Sequence, residues 1–550
     1  RRFLRLGKWS IPLDRATVEL RRKSRTFWNI LGDQHVGCTI LRVPITFPPE
    51  KFRGRLLSAM CTPDLLGTQG SFLYFTTSGG RESFAEGGNR YPLERGGQGL
   101  RGTIEGPENP LQDASGPIKL PFSLLLADDP QRAELRLDKE TYTLRLNEYS
   151  PWVRLTFRAG LGVKVRGVCR FMLTSTRPEV SLYLTPINID PENPALPISQ
   201  PSYYATYLAK LLGVYATLGL AEDTWALNER VIDEQGFLEQ AYAICEEREA
   251  MFFSALDKTS QGVAACVFDT SDRVQHMFYR YLEPDHPAHA ANPPTSNDGG
   301  PTSRDYRGAI EDLYQRMDGI VGRTMQYVDE DTVLFVLSDH GFKSFQRGIN
   351  LNAWLRDNGY LHLKNGDGGA GAYLKAVDWS RTRAYTFGLA GIYVNQKGRE
   401  GQGIVPRGAE AEALRKELAA KLSGLLDEER SQVAIRRAYP KEDVYQGPYT
   451  DSAPDVVVGY NVGYRSSWGA ALGETGGPVF EDNRKAWSGD HCSDPAIIPG
   501  VVFCNRKFEA EDPGIEDLAP TALSLFGFKA PSYMDGRDLG VEDGKIDAQG

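Results

Sequence analysis

The sequence has no long apolar run. Nothing in its 550 residues approaches the roughly 18–20 consecutive apolar residues needed to cross a membrane. It also has no basic excess: 63 Lys+Arg stand against 72 Asp+Glu, for a formal net charge of -9, which argues against bulk nucleic-acid binding. Its seven cysteines (Cys38, Cys61, Cys169, Cys245, Cys266, Cys492 and Cys504) are scattered, odd in number and without a C-x-x-C. That pattern points to buried free thiols and to a reducing, cytoplasmic compartment. No internal repeat is present, and no signal peptide is visible. An initiating Met is missing too, so the latter absence says nothing about localisation. What remains is ordinary for a soluble globular protein: 41% hydrophobic and 25% charged residues, in a length sufficient for about two to four domains.

Against this background one pentapeptide stands out. Ser338-Asp339-His340-Gly341-Phe342 follows the apolar run Thr332–Leu337, which reads as a buried strand. An Asp-His pair is thereby delivered to a strand's C-terminal end, where open α/β sheets place their ligand sites. A carboxylate beside an imidazole suits a hard-to-borderline divalent metal such as Zn, Mn or Fe. A second apolar run, Gly262–Phe268, leads into Asp269-Thr270-Ser271-Asp272-Arg273-Val274-Gln275-His276. On a helix, Asp272 and His276 lie one turn apart on one face. Near the C-terminus, Trp487-Ser488-Gly489-Asp490-His491 precedes the apolar stretch Ile497–Phe503. Each motif alone has a bland alternative: a helix-dipole acid, a core histidine, a solvated loop histidine. Together they offer Asp272, His276, Asp339, His340 and His491, close to a full ligand set for two metals.

Elsewhere the pattern is organisational. Strands alternating with helices on both sides of an insertion indicate an α/β fold with a mostly parallel sheet flanked by helices. Between about residues 116 and 187 the period changes to two, as in Ala133–Leu137, Tyr142–Leu146 and Val153–Phe157, which predicts an inserted antiparallel β module. The expected divisions are 1–80, an N-terminal part of the α/β domain; 81–200, the β-rich module; and 201–550, the main metal-binding domain. The module is expected to be separable and to act as a lid or oligomer surface. His286 and His289, in the Pro-rich loop 284–303, are expected to be solvated. The basic residues of 1–25 read as a solvated segment or an anion-attracting rim. Arg273, Lys343 and Arg347 flank the ligand motifs and are candidate substrate-binding cations.

The order D-x-x-x-H, then SDHG after a strand, then G-D-H resembles the alkaline phosphatase superfamily. Within it, the chain is similar to the predicted phosphohydrolase/phosphomutase branch related to type I phosphodiesterase/nucleotide pyrophosphatase and cofactor-independent phosphoglycerate mutase. The likeness extends to Thr26–Leu31, Arg42–Pro49, Gly67–Gly70, Asp223–Asn228, Asn350–Leu355 and Met534–Arg537, and is weakest over about residues 80–200. It implies two divalent metal ions, zinc before manganese or iron. Asp272, His276 and His491 would hold one, and Asp339 and His340 the other. The resemblance also implies a phosphorylated small-molecule substrate and a phosphohydrolase acting on mono- or diesters. A phosphomutase is the alternative, or a catalytically silent metal-binding or assembly protein.

One departure is clear. The superfamily carries an Asp-tipped first strand and a Ser/Thr nucleophile upstream of the segment matching Thr26–Leu31. Neither is found before residue 26, so the nucleophile segment is expected to be missing from this chain. Cys61-Thr62-Pro63-Asp64-Leu65 meets only part of the sulfatase C-x-P-x-R pattern, with Leu65 in the Arg position.

Overall fold

The computed structural model describes residues 3–6, 9–12, 18–85, 87–97, 99–112, 116–291, 305–364, 371–389 and 391–542. Arg1, Arg2, Lys8 and Arg15 of the basic N-terminal stretch and residues 292–303 of the Pro-rich loop lie outside this set. At the centre is a short parallel sheet. Cys38–Leu41 pairs in parallel with Arg55–Leu57 on one edge and with Val263–Cys266 on the other. Ser199–Gln200 adds an antiparallel edge to it. Phe335–Leu337, the strand before Asp339, pairs antiparallel with Val502–Cys504.

The chain therefore has an α/β fold, but its parallel part is narrower than the alternation of elements implied. The other sheets are antiparallel or mixed, because most strands here are joined by short turns, which return the chain antiparallel. A second expectation also needs correcting. The two strands feeding the ligand motifs are not fully buried: all four residues of Val263–Cys266 are half-buried, as are Phe335 and Val336, while Leu337 is exposed. Each pairs along one edge only among the described residues. Cys38–Leu41, paired on both edges, is buried throughout.

The period-two segments fold as read. Gly99–Glu108, Pro117–Leu126, Arg132–Leu137 and Glu140–Arg145 are successive antiparallel neighbours. Burial alternates strictly along Arg132–Leu137, with Ala133, Leu135 and Leu137 inside. These strands do not stand apart from the α/β part, however. Leu73–Thr76 pairs with both Ser181–Leu184 and Asn89–Pro92. One apolar core runs from Leu41 and Leu57 of the parallel sheet to Leu155, Phe157 and Leu182 and on to Tyr204 and Met251. Residues of the 81–200 stretch thus share one apolar core with Leu41 and Leu57 of the parallel sheet.

The 23-residue helix Glu234–Leu256 starts at Asp233, whose side chain accepts from the Gly236 N–H. Together with Ala309–Thr324 it brackets the short helix Thr270–Phe278 that bears Asp272 and His276. Glu247 on the long helix reaches into the β-rich part. Trp152 Nε1 donates to one of its oxygens at 2.8 Å and the Ala216 N–H to the other at 2.9 Å. Burial pushes the Glu247 carboxyl up to about 7, against the opposing pull of those two donors. Folded Glu247 thus keeps a proton that the unfolded chain releases from its ordinary value of 4.5 upward. Its contribution to stability is full below that value and is lost as pH rises toward 7. Urea unfolding of wild type at pH 5 and pH 8 should show this loss, and Glu247→Gln should show a flatter profile over the same interval.

Candidate metal centre

Asp272 and His276 sit on one face of Thr270–Phe278, with Asp272 in the first turn, where the helix dipole favours a carboxylate. The start of this helix is tied down from behind. Arg248 pairs with Asp269 and, at 3.3 Å, with Glu222, and the Thr270 hydroxyl donates to Glu222 at 2.8 Å. His276 Nε2 lies 3.4 Å from Asp272 Oδ2, and His491 Nε2 lies 3.5 Å from Asp272 Oδ1. One ligand atom from each of the three residues falls within 4.8 Å of the others.

The tautomers are set by neighbouring carbonyls. His276 Nδ1 is 2.7 Å from the Gly489 carbonyl oxygen. A carbonyl only accepts, so Nδ1 carries a proton and Nε2 is the ring atom that faces Asp272. His340 repeats the arrangement, with Nδ1 3.1 Å from the Gly341 carbonyl. Its ring stacks on His491 at 3.8 Å between centroids and 16° between planes. Burial, with His276 and His340 nearby, pushes His491 down to about 4, so at neutral pH it is an uncharged donor. For Asp272, burial acts upward, but His276, Arg273 and His491 outweigh it and hold the carboxyl well below the usual range. The group is an anion at any working pH. A set of two imidazoles and one carboxylate, with one ligand atom from each within 4.8 Å of the others, fits a borderline divalent cation such as zinc.

Asp339 and His340 lie beside this group. Asp339 Oδ2 is 3.5 Å from His340 Nε2, and the Asp339 side chain is 70% exposed. Among the described residues they bring no third His, Cys, Asp or Glu into a comparable cluster. Asp490, His491 and Cys492 form another close trio. There, burial pushes the Cys492 thiol up to about 12, and the Asp490 oxygens are fully occupied by protein donors.

The candidate cations differ. Arg273 is buried and pairs with Asp272 Oδ2 at 2.8 Å. Arg347 is buried and ion-paired to Asp427 and Asp482, each at 2.8 Å, and to Glu429. Lys343 is half-buried at the head of Lys343–Ile349, opposite Asp490 in the ladder. His286 is buried, contrary to expectation. Its Nε2 meets the Phe345 carbonyl at 2.9 Å and its Nδ1 accepts from the Ala288 N–H, which makes it a fixed structural group.

A match to the family described as type I phosphodiesterase / nucleotide pyrophosphatase covers residues 136–483, more than half of the chain. The chain belongs to this family. The match includes Asp272, His276, Asp339 and His340 and ends before His491. Comparison with curated proteins returned no match. In this phosphodiesterase-family chain His491, outside the match, is brought to Asp272 by the fold, at 3.5 Å.

Residues not singled out from the sequence complete the wall. Trp487 lies over His276 at 3.7 Å between centroids, and Phe342 meets the His276 ring edge-on at 4.8 Å. Arg280, fully buried, donates to Glu234 at 2.7 Å, to the Ala486 carbonyl at 2.6 Å and to the Met277 carbonyl at 2.7 Å. It thereby fastens the helix end to the segment carrying His491. Truncating one partner of a buried ion pair strands the other's charge, at a cost of about 3–5 kcal/mol. Arg280→Ala should lower the free energy of unfolding by that amount in urea titration; a change near zero would mean that Glu234 finds other compensation.

Proposed function

We propose that this chain is the metal-binding body of a phosphohydrolase that cleaves phosphodiester or pyrophosphate bonds in a small phosphorylated substrate. The Asp272/His276/His491 cluster carries the reading, because both histidine rings direct a free Nε2 at one carboxylate. Family membership supports the reaction class. When bound there, a divalent cation would supply Lewis-acid neutralisation of phosphoryl charge. Asp272 contributes the anionic ligand atom, and His276 and His491 contribute neutral ones, so the occupied site stays net positive toward a phosphate. Trp487 and Phe342 cover the His276 ring and keep water from its flank. Asp339 and His340 are proposed as ligands of a second, weaker ion. Lys343 is proposed as the substrate cation, since Arg273 and Arg347 are already committed to carboxylates.

The nucleophile is proposed to be a Ser or Thr on a segment outside these 550 residues. That segment would enter as a strand against the unpaired edge of Val263–Cys266. Zinc is the proposed metal, with manganese or iron as alternatives.

Metal-stripped protein should take up one equivalent of Zn²⁺ tightly and a second more weakly. His276→Ala and His491→Ala should each lose the tight equivalent, and unchanged metal content in both would sink the assignment. The 550-residue chain should hydrolyse bis-p-nitrophenyl phosphate at most weakly, because without the nucleophile only binding and electrostatic stabilisation act. Full metal-dependent turnover by this chain would overturn the external-nucleophile part of the reading.

A further inference from the structure

We infer that Asp490, clamped by Arg465, is a positioning residue that sets both imidazoles of the metal centre without being a ligand itself. This rests on the metal-binding reading above. Asp490 is nearly inaccessible, and both of its oxygens are fully used. Oδ2 accepts from Arg465 Nη1 at 2.6 Å and from Trp487 Nε1 at 2.8 Å. Oδ1 accepts from the backbone N–H groups of His491 and Cys492, each at 2.8 Å. A carboxylate has about four lone-pair directions, so none is left for a cation.

The four donors show what Asp490 controls. Two are backbone groups that fix the turn on which His491 sits. A third is the indole of Trp487, whose ring lies over His276 at 3.7 Å. The residue before Asp490, Gly489, supplies the carbonyl that meets His276 Nδ1. A side chain at 489 would come within 2.5 Å of the Gln275 carbonyl and 2.9 Å of Tyr279, so only glycine allows this approach. One peptide turn thus orients two ligands that are 215 positions apart, His276 and His491. Arg465 makes the turn rigid. It is buried, its Nε donates to the Ser466 carbonyl at 3.0 Å, and its guanidinium packs 4.5 Å over Phe345 and 4.2 Å over Trp468. Arg465 lies on Gly463–Ser466, which pairs in parallel with the strand Lys343–Ile349 that follows His340. Its hydrogen bond toward the centre goes to Asp490, and its packing contact with Trp468 continues to Trp487, whose ring meets Trp468 edge-on at 5.9 Å.

The test uses the full chain. Zn²⁺ affinity is measured in competition with a chromophoric chelator, and the visible absorption of the Co²⁺-substituted protein reports ligand geometry. Loss of an outer-shell partner typically weakens metal affinity about 10–100-fold. Asp490→Asn and Arg465→Met should each fall in that range and should shift the Co²⁺ bands. Arg465→Lys should recover part of the affinity. In the Asp490→Asn background, Arg465→Met should add no more than about twofold if the arginine acts through the carboxylate. If Asp490→Asn fails to fold, Arg465→Met alone decides. Zn²⁺ affinity within twofold of wild type and an unchanged Co²⁺ spectrum, even with a lower melting temperature, would overturn the proposal. Wild-type protein that binds neither ion would instead overturn the metal reading itself, so the two failures are distinguishable.

Discussion

Arg280 carries a full charge at zero exposure, and the acceptors around it come from three separate stretches of chain. Glu234 opens the long helix, Met277 ends the helix bearing Asp272 and His276, and Ala486 precedes the turn bearing His491. A guanidinium in such a place must have its donors filled by groups of fixed position. Once it does, the three segments have little freedom relative to one another. The hydrogen bond from the Ser488 N–H to the His276 carbonyl, at 2.7 Å, then closes the same junction from the other side. The Asp272, His276 and His491 group thus lies at a seam fastened by one buried charge.

From that alignment the electrostatics follow. Asp272 meets two imidazole nitrogens and Arg273, which keep it ionised despite burial. His491 is crowded by His276 and His340, which keeps it neutral. The result is a close group of nitrogen and oxygen donors, proposed above as a cation site. On the proposed reading, a dication held by one carboxylate and two imidazole nitrogens would stay net positive, the condition for attracting a phosphate rather than repelling it. The aromatic wall of Trp487 and Phe342 adds little charge but lowers the local dielectric, which strengthens each of these interactions.

The candidate ligands were legible in the sequence because their signals are local. Asp272 and His276 are four apart on a short helix, and Asp339-His340 follows an apolar run directly. The alternating strands were equally legible, since a period of two depends on neighbours in sequence. What the sequence did not yield depends on neighbours in space. Val263–Cys266 and Phe335–Leu337 read as buried because they are apolar, yet burial depends on what packs over their edges and faces. His286 looked solvated in a Pro-rich loop, but the loop folds back onto the Phe345 carbonyl. Asp490 was visible inside Trp487–His491, but only the fourfold occupancy of its oxygens reveals what it holds. Arg347 looked available for substrate because Asp427, Glu429 and Asp482 lie some 80 to 135 residues away in sequence. The apolar core linking Leu41 and Leu57 to Leu155 and Phe157 was equally beyond a periodicity argument.

The central claim is that Asp272, His276 and His491 form one cation site. The most direct measurement is anomalous scattering above the zinc edge from crystals grown with Zn²⁺. The account predicts a peak about 2.0–2.2 Å from His276 Nε2, His491 Nε2 and an Asp272 carboxylate oxygen. Zinc bound instead at Asp490 and Cys492, or a well-ordered crystal with no peak among these three residues, would contradict it.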